Sequence, residues 1–232
     1  MESILLLAPT EADGTLSKGA REALGAATEL TAALGASLAV GLFGADVQTA
    51  ANAVAGCGAK FFGVAGAEFA PSRYATDAAA AEALCRAAQA TLVVVPAGSR
   101  TSRVMAGVAH RLGGRVDTHA TAITANGGAL TINRWYYRQR IEATQQRSER
   151  PWIILLDAGC HAPWTGEAGT AAVETVTVQA PPARTTVTGI SAPKSDEQTI
   201  RPEAKLLFVT GAGWTKKQAD GQTHAPEAEN PG

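Results

Sequence analysis

The sequence lacks both long apolar runs and an excess of one charge. No apolar stretch approaches the roughly 18 residues that a helix needs to cross a membrane, and the first residues lack the basic leader of a signal peptide. Lys and Arg total 20 against 21 Asp and Glu, which gives a net charge of −1. We therefore expect no membrane insertion and no nucleic-acid binding driven by overall positive charge.

Cysteine is also scarce, since the chain has only Cys57, Cys85 and Cys160. They are odd in number and far apart, so they are no disulfide framework, and we expect a reducing, cytoplasmic location. Cys160 is followed directly by His161, but a metal site needs further ligands at a workable spacing. The sequence offers none, so we expect no metal site.

The motifs of several enzyme classes are missing too. The sequence contains no Gly-x-Ser-x-Gly, no His-Glu-x-x-His and no Gly-x-x-x-x-Gly-Lys-[Ser/Thr]. A dinucleotide-binding protein places a glycine-rich turn after its first strand, whereas this chain reads Pro-Thr-Glu-Ala-Asp-Gly at positions 9–14. Because Glu11 and Asp13 would repel a pyrophosphate, we do not expect ordinary NAD binding at this loop.

The first half of the sequence contains a regular alternation of two patterns. Short, nearly continuous apolar runs are typical of parallel strands buried on both faces, and they occur at Ile4–Ala8, Leu38–Leu42, Phe61–Val64 and Leu92–Val95. Helical periodicity separates the runs, at residues 16–34 with Gly35 as the C-cap, and at residues 47–54, 76–90 and 104–112. This predicts an α/β fold with a doubly wound, Rossmann-like parallel sheet.

After Gly114 the sequence predicts strands alone. They lie at Thr118–Thr124, Ala129–Arg134 and Trp152–Asp157, with a hairpin turn at residues 126–128. We expect these later strands, some of them antiparallel, to extend the same sheet. Val173–Val178 alternates apolar and polar residues, as a half-exposed strand does.

The remaining sequence predicts a linker and the start of a second domain. Residues 1–180 would form the amino-terminal domain, and residues 181–202 are rich in Pro, Thr and Ser, as linkers are. Leu206–Thr210 then has the composition of one more buried strand. Residues 203–232 would therefore begin a second α/β domain that this chain does not complete.

A small-residue turn after that strand is the first candidate binding site. Its residues are Gly211, Ala212, Gly213 and Trp214, followed by Lys216 and Lys217. Small residues would let backbone N–H groups approach a phosphate or a flavin ring, with Trp214 covering the ligand and a lysine supplying charge. The alternative is a plain turn at a strand end before a polar tail.

Two basic segments are further candidates. The basic–aromatic cluster consists of Arg134, Arg138, Arg140, Arg147 and Arg150 with Trp135, Tyr136 and Tyr137. It could bind RNA, an acidic protein surface or a cofactor phosphate, or form the solvated face of a strand pair. The loop at 98–103 follows a central strand, where open α/β sheets bind ligands, but its Ser and Thr residues could equally cap a helix.

The order of these segments resembles the alpha subunit of electron-transfer flavoproteins. The segments that carry the resemblance are Ile4–Ala8 with Gly14–Leu16, Thr91–Ala97 with the helix that ends at Ala109–Gly113, Asn133–Tyr137 through Arg150–Leu156, and Glu203–Gly211. Three short segments depart from the family pattern. Thr101-Ser102-Arg103 replaces a usual Gly-Arg-Asp, Arg138-Gln139 replaces Gly-Gly, and Thr210–Trp214 replaces Ser-Gly-Gly-Arg-Gly.

The resemblance implies a heterodimer in which this chain is the alpha-type partner of a beta subunit. Such a complex takes electrons from a flavin dehydrogenase and passes them on through FAD, which lies mainly in the carboxy-terminal domain of the alpha subunit. Residues 203–232 would then begin an incomplete flavin-binding domain, with Gly211–Trp214 near the cofactor, and the chain would serve as an electron carrier rather than a catalyst. Two alternatives are an adenosine-nucleotide-binding module of the universal-stress type and an interaction domain without a ligand.

Overall fold

The computed structural model describes residues 2–182, 184–189, 191, 211–219 and 221–222. The chain divides into two compact units, Met1–Val187 and Thr188–Gly232. The predicted strand Leu206–Thr210 lies outside the described residues, so the predicted linker and second domain stay predictions. No helix in the described part of the chain is long and apolar enough to cross a membrane.

The first unit alternates strands and helices and then continues with strands. The strands are β1 (Ser3–Pro9), β2 (Ser37–Gly44), β3 (Lys60–Ala65), β4 (Leu92–Pro96), β5 (Arg115–Asn126), β6 (Ala129–Tyr136), β7 (Ile141–Gln145), β8 (Trp152–Leu156) and β9 (Val173–Thr175). The helices are α1 (Lys18–Leu34), α2 (Gln48–Ala53), α3 (Tyr74–Ala87), α4 (Ser99–Ser102) and α5 (Met105–Arg111). Short 3₁₀ turns at Ala55–Cys57 and Ala67–Phe69 flank β3.

The nine strands form one sheet in the order β7-β6-β5-β8-β4-β1-β2-β3-β9. Strands β6 and β7 pair antiparallel with their neighbours, and all other pairs are parallel. This confirms the prediction of a doubly wound, mostly parallel sheet that later strands extend. Strand β8 inserts between β4 and β5, so β5 pairs parallel with β8 on one side and antiparallel with β6 on the other.

The continuous apolar runs arise because each central strand is covered on both faces. In β1, Ile4 and Leu6 face a buried cluster that contains Leu24 of α1. Leu5 and Leu7 face a second buried cluster, which contains Leu84 of α3. The helices begin and end near the predicted positions, and Gly35 ends α1 with φ 58° in the left-handed region, as expected for a C-cap glycine.

The segment 158–178 returns across the outside of the unit to its far edge. It runs past α1, where the backbone N–H of Trp164 donates to the carbonyl of Arg21 at 2.9 Å. It passes α2, where Gly169 donates to the carbonyl of Asn52 at 2.8 Å, and then forms β9 beside β3. The predicted strand Val173–Val178 is therefore only three residues long, and Val176 and Val178 pack against the second cluster.

Candidate functional site

The topology places a crevice between β1 and β4 at the carboxyl ends of the strands. The chain proceeds from β1 outward through β2 and β3, and then returns to the other side of β1 with β4. Open α/β sheets bind ligands at such a switch point. The crevice has a volume of about 380 Å³, and the loop after β1, the start of α1 and the loop after β4 line it.

The loop after β1 is acidic, and one of its carboxylates lines this crevice. Glu11 lines it directly, and the Asp13 carboxylate accepts hydrogen bonds from the backbone N–H and hydroxyl of Thr15 at 3.0 and 2.7 Å. These hydrogen bonds lower the pKa of Asp13, so it is ionised at neutral pH. The loop therefore has the charge that the sequence predicted, which is unfavourable for a pyrophosphate.

The loop after β4 is held by its own side chains. The Thr101 hydroxyl donates to the carbonyl of Pro96 at 2.6 Å and accepts from the backbone N–H of Gly98 at 3.1 Å. Arg100 forms a bidentate ion pair with the fully buried Asp77, at 2.7 and 2.9 Å, and also donates to the carbonyl of Phe69. The N-cap of α4 is therefore Gly98 rather than Ser99, Thr101 or Ser102, and the hydroxyl of Thr101 holds the start of the helix from its third position.

Arg100, the cation that lines the crevice, is consequently paired within the protein. Arg100 lies over the ring of Phe43 with its guanidinium carbon 5.2 Å from the ring centre, and its side chain is held against α3 by Asp77. Arg103 donates to the hydroxyl of Ser72 at 2.7 Å on the same side. A nucleotide phosphate would have to compete with the buried Asp77 for Arg100, which makes the adenosine-nucleotide interpretation unfavourable.

The basic–aromatic cluster is divided by the structure into two parts. Arg134 and Arg147 both pair with the buried carboxylate of Asp117, which also accepts from the indole N–H of Trp152 at 2.8 Å. Arg134 Nη1 lies 2.7 Å from Asp117 Oδ1, and Arg147 Nη2 lies 2.8 Å from the same oxygen. These arginines join β5, β6, β8 and the loop before β8, so they are structural rather than a solvated or binding face.

Asp117 is ionised despite its burial. Burial raises the pKa of Asp117, but hydrogen bonds from Arg147 and Trp152 and the charges of both arginines outweigh this effect and lower it. The hydrogen bond to Asp117 raises the pKa of Arg147 in turn. Arg150 is also paired, with Glu2 at 2.7 and 2.9 Å. Three of the five cluster arginines therefore fix the sheet.

The other two arginines lie in an exposed turn between β6 and β7, which we call the 137–141 tip. Arg138 and Arg140 are exposed and form no ion pair within the described residues. Tyr137 and Ile141 are 75% and 51% exposed, so two of the largest exposed apolar side chains lie at this one turn. A cavity of about 540 Å³ adjoins it, lined by Trp135, Tyr136, the first tip residues and His119.

The predicted flavin residues lie in the second unit. Ala212–Thr215 form a single helical turn, Gly211 and Gly213 are exposed, and Trp214 is half-buried. Among the described residues, a Cβ atom at Gly211 or Gly213 would meet nothing within 4 Å, so no close approach to that part of the chain requires glycine there. The assignment of Gly211–Trp214 to a flavin site stays a prediction.

The structure also shows groups that the sequence did not single out. Asp77 holds the loop after β4 from a buried position, and Asp117 holds β6, β8 and the loop before β8. Little in the sequence signalled either residue, since Asp77 lies inside the predicted helix at 76–90 and Asp117 just before the predicted strand Thr118–Thr124. His119 adopts a left-handed φ of 58° where β5 shifts register, with Nδ1 3.4 Å from Asp157 Oδ2.

Among the described residues no three His, Cys, Asp or Glu side chains are grouped to hold a metal ion. Burial raises the pKa of Cys85 to about 12, so this thiol is unreactive.

The chain matches a known protein family. Residues 4–181 match the family described as the electron transfer flavoprotein domain. The match covers most of the chain and nearly all of the first unit. No curated protein matches the chain.

Proposed function

Because the chain belongs to the electron transfer flavoprotein family, we propose that it is an alpha-type subunit of a two-subunit electron carrier. In this proposal the first unit binds a beta-type subunit. The complex carries electrons from a flavin dehydrogenase through bound FAD. The observation that carries the proposal is the family match over residues 4–181. Further along the sequence, Glu203–Gly211 resembles the opening strand of the flavin domain in alpha subunits.

The arrangement of the first unit supports a scaffold role. At the crevice between β1 and β4, the cation Arg100 is paired with buried Asp77 and the loop opposite is acidic. The arginines of the basic–aromatic cluster are mostly paired with Asp117 and Glu2. These residues hold loops in place, which is what a rigid partner-binding domain requires.

FAD supplies the electron-accepting group when it is bound. We propose that FAD binds in the assembled complex and not in the acidic crevice of the first unit, with Gly211–Trp214 contributing backbone N–H groups beside it. The residues of the first unit contribute by binding and orienting the partner subunit.

Co-expression with a beta-type subunit from the same genome tests the proposal. We expect one complex on size-exclusion chromatography. Because the sequence predicts only the start of a flavin-binding domain at residues 203–232, we expect flavin absorbance once a flavin-domain sequence is added to this complex, and none with the 232-residue chain alone. The beta-type subunit purified alone is the control. A stoichiometric yellow chromophore in the isolated chain, or no complex at all, would contradict the proposal.

The adenosine-nucleotide alternative makes a different prediction for the same protein. It requires that the isolated chain bind ATP or AMP in the crevice, which calorimetric titration measures. We expect no binding, because Arg100 is held by Asp77. If nucleotide binding occurs and the Arg100→Ala variant abolishes it, the alternative replaces our proposal.

A further inference from the structure

The 137–141 tip combines exposure, positive charge and an unfavourable backbone. Tyr137 is 75% exposed and Ile141 51% exposed, although folding normally hides side chains of this size. Arg138 and Arg140 carry charges that no acidic group within the described residues neutralises. Tyrosine and arginine are the residue types that contribute most to protein–protein binding energy.

The backbone of the tip is not the one that stability alone would favour. Tyr137, Arg138 and Gln139 have φ values of 47°, 56° and 64°. This left-handed region favours glycine and is unfavourable for bulky side chains. Hairpin turns of this hand usually carry Asn, Asp or Gly. Three consecutive non-glycine residues in this conformation indicate a turn whose side chains have a purpose beyond connecting two strands.

The tip also rests on a rigid base. Tyr136, the last residue of β6, has Arg134 over its ring at 4.4 Å and accepts a hydrogen bond from Gln145 at 3.0 Å. Arg134 is in turn fixed by the buried Asp117 at 2.7 Å. Docking residues on a fixed base lose little conformational entropy when they bind.

We propose that the 137–141 tip is the docking element for an acidic surface on the beta-type subunit, a proposal that rests on the function proposed above. Arg138 and Arg140 select an acidic occupant by charge complementarity. Tyr137 inserts into an apolar site on that occupant, and the cavity of about 540 Å³ beside it receives a side chain in return. The net charge of −1 gives the whole chain no general attraction to anionic partners, so the selection comes from the tip.

Charge reversal at the tip tests the proposal on the full chain. We measure the dissociation constant for the beta-type subunit by calorimetry and the thermal midpoint of each variant. Arg138→Glu/Arg140→Glu should weaken binding by about tenfold or more, and Tyr137→Ala by a similar factor. The matched control is Lys18→Glu/Lys60→Glu, which makes the same change of charge at two exposed lysines on other elements and should stay within about twofold.

A third variant separates docking from folding. Arg138→Gly/Gln139→Gly relieves the backbone strain while it removes one arginine. We expect a higher thermal midpoint together with weaker binding, whereas a turn that merely connects strands would give the higher midpoint with unchanged binding. Raising the salt concentration should also weaken the complex of the unchanged chain more than that of Arg138→Glu/Arg140→Glu.

The outcomes distinguish the two proposals. If the unchanged chain forms the complex and the tip variants bind equally well, the docking assignment is overturned and the proposed function stands. If the unchanged chain does not bind the beta-type subunit, both are overturned. If the tip variants lose binding of a fluorescein-labelled single-stranded RNA but keep the beta-type subunit, the tip serves nucleic acid and the assignment to a protein partner is wrong.

Discussion

Arg134 Nη1 lies 2.7 Å from Oδ1 of Asp117, across the pair of strands β5 and β6. The Asp117 side chain is completely buried, and the Arg134 side chain is only 13% exposed. This pair joins the antiparallel strand β6 to β5, which itself pairs parallel with β8. It also means that the basic–aromatic cluster contains arginines with two different roles, which lead to different predictions.

Reversing the charge of Arg134 should destabilise the fold, whereas reversing Arg138 should not. Arg134→Glu places a carboxylate beside buried Asp117 and removes a buried ion pair, which costs about 3 kcal/mol or more. Arg138→Glu changes an exposed charge and should stay within about 0.5 kcal/mol. Urea denaturation measures both free energies of unfolding. Equal effects of the two variants would contradict the division of the cluster.

The stability contributed by Asp117 should disappear in acid. Its pKa in the folded protein lies below the ordinary value of 3.8, so the ionised form stabilises the fold. This contribution is complete above about pH 5 and is lost as the pH falls through 3.8 toward the lowered value. Asp117→Asn should therefore be much less stable than the unchanged chain at neutral pH, and the difference should narrow as the pH falls.

Chemical denaturation at several pH values measures how the stability difference between the unchanged chain and Asp117→Asn depends on pH. Asp13→Asn is the control, because Asp13 also has a lowered pKa but is fully exposed. At neutral pH it should change stability far less than Asp117→Asn. A difference between the unchanged chain and Asp117→Asn that is constant from neutral to acid would show that the carboxylate charge does not matter.

Two glycines of α1 should respond oppositely to alanine. A Cβ at Gly25 would lie 2.4 Å from the carbonyl oxygen of Ala162 in segment 158–178, so Gly25→Ala should displace that segment and destabilise the unit. A Cβ at Gly19 would lie 3.7 Å from Pro96, an ordinary contact. Gly19→Ala should be neutral or stabilising by up to about 1 kcal/mol, because alanine favours helix. Chemical denaturation of both variants measures the sign, and stabilisation by Gly25→Ala would contradict the packing of the segment.

Residues 1–187 should fold without the second unit. The buried clusters and the side chains packed on them fall between Ile4 and Val178. We expect a fragment of residues 1–187 to unfold cooperatively at the same temperature as the full chain. A fragment of residues 1–157 lacks β9 and the segment that crosses α1 and α2, so it should unfold at a lower temperature. Loss of cooperative unfolding in the longer fragment would show that the first unit depends on the second.

The sequence alone determined most of the strands and helices and the class of fold, but it did not predict β7. An apolar run such as Ile4–Ala8 is stable only as a strand that is covered on both faces. Gly35 comes directly after a stretch with helical periodicity, and it ends that helix. These are local properties of the chain, so periodicity and composition reveal them. The family likeness could also be inferred, because it depends on the order of such segments.

Only the tertiary structure decided what the polar groups do. Arg100 pairs with Asp77 across 23 positions, and Arg147 pairs with Asp117 across 30. Nothing in the spacing of these residues distinguishes them from Arg138 and Arg140, which are exposed. The difference arises because the sheet brings distant carboxylates into a region without water, where an ion pair must form for the charge to be buried at all. A one-dimensional pattern does not contain that proximity, whereas the packed fold does.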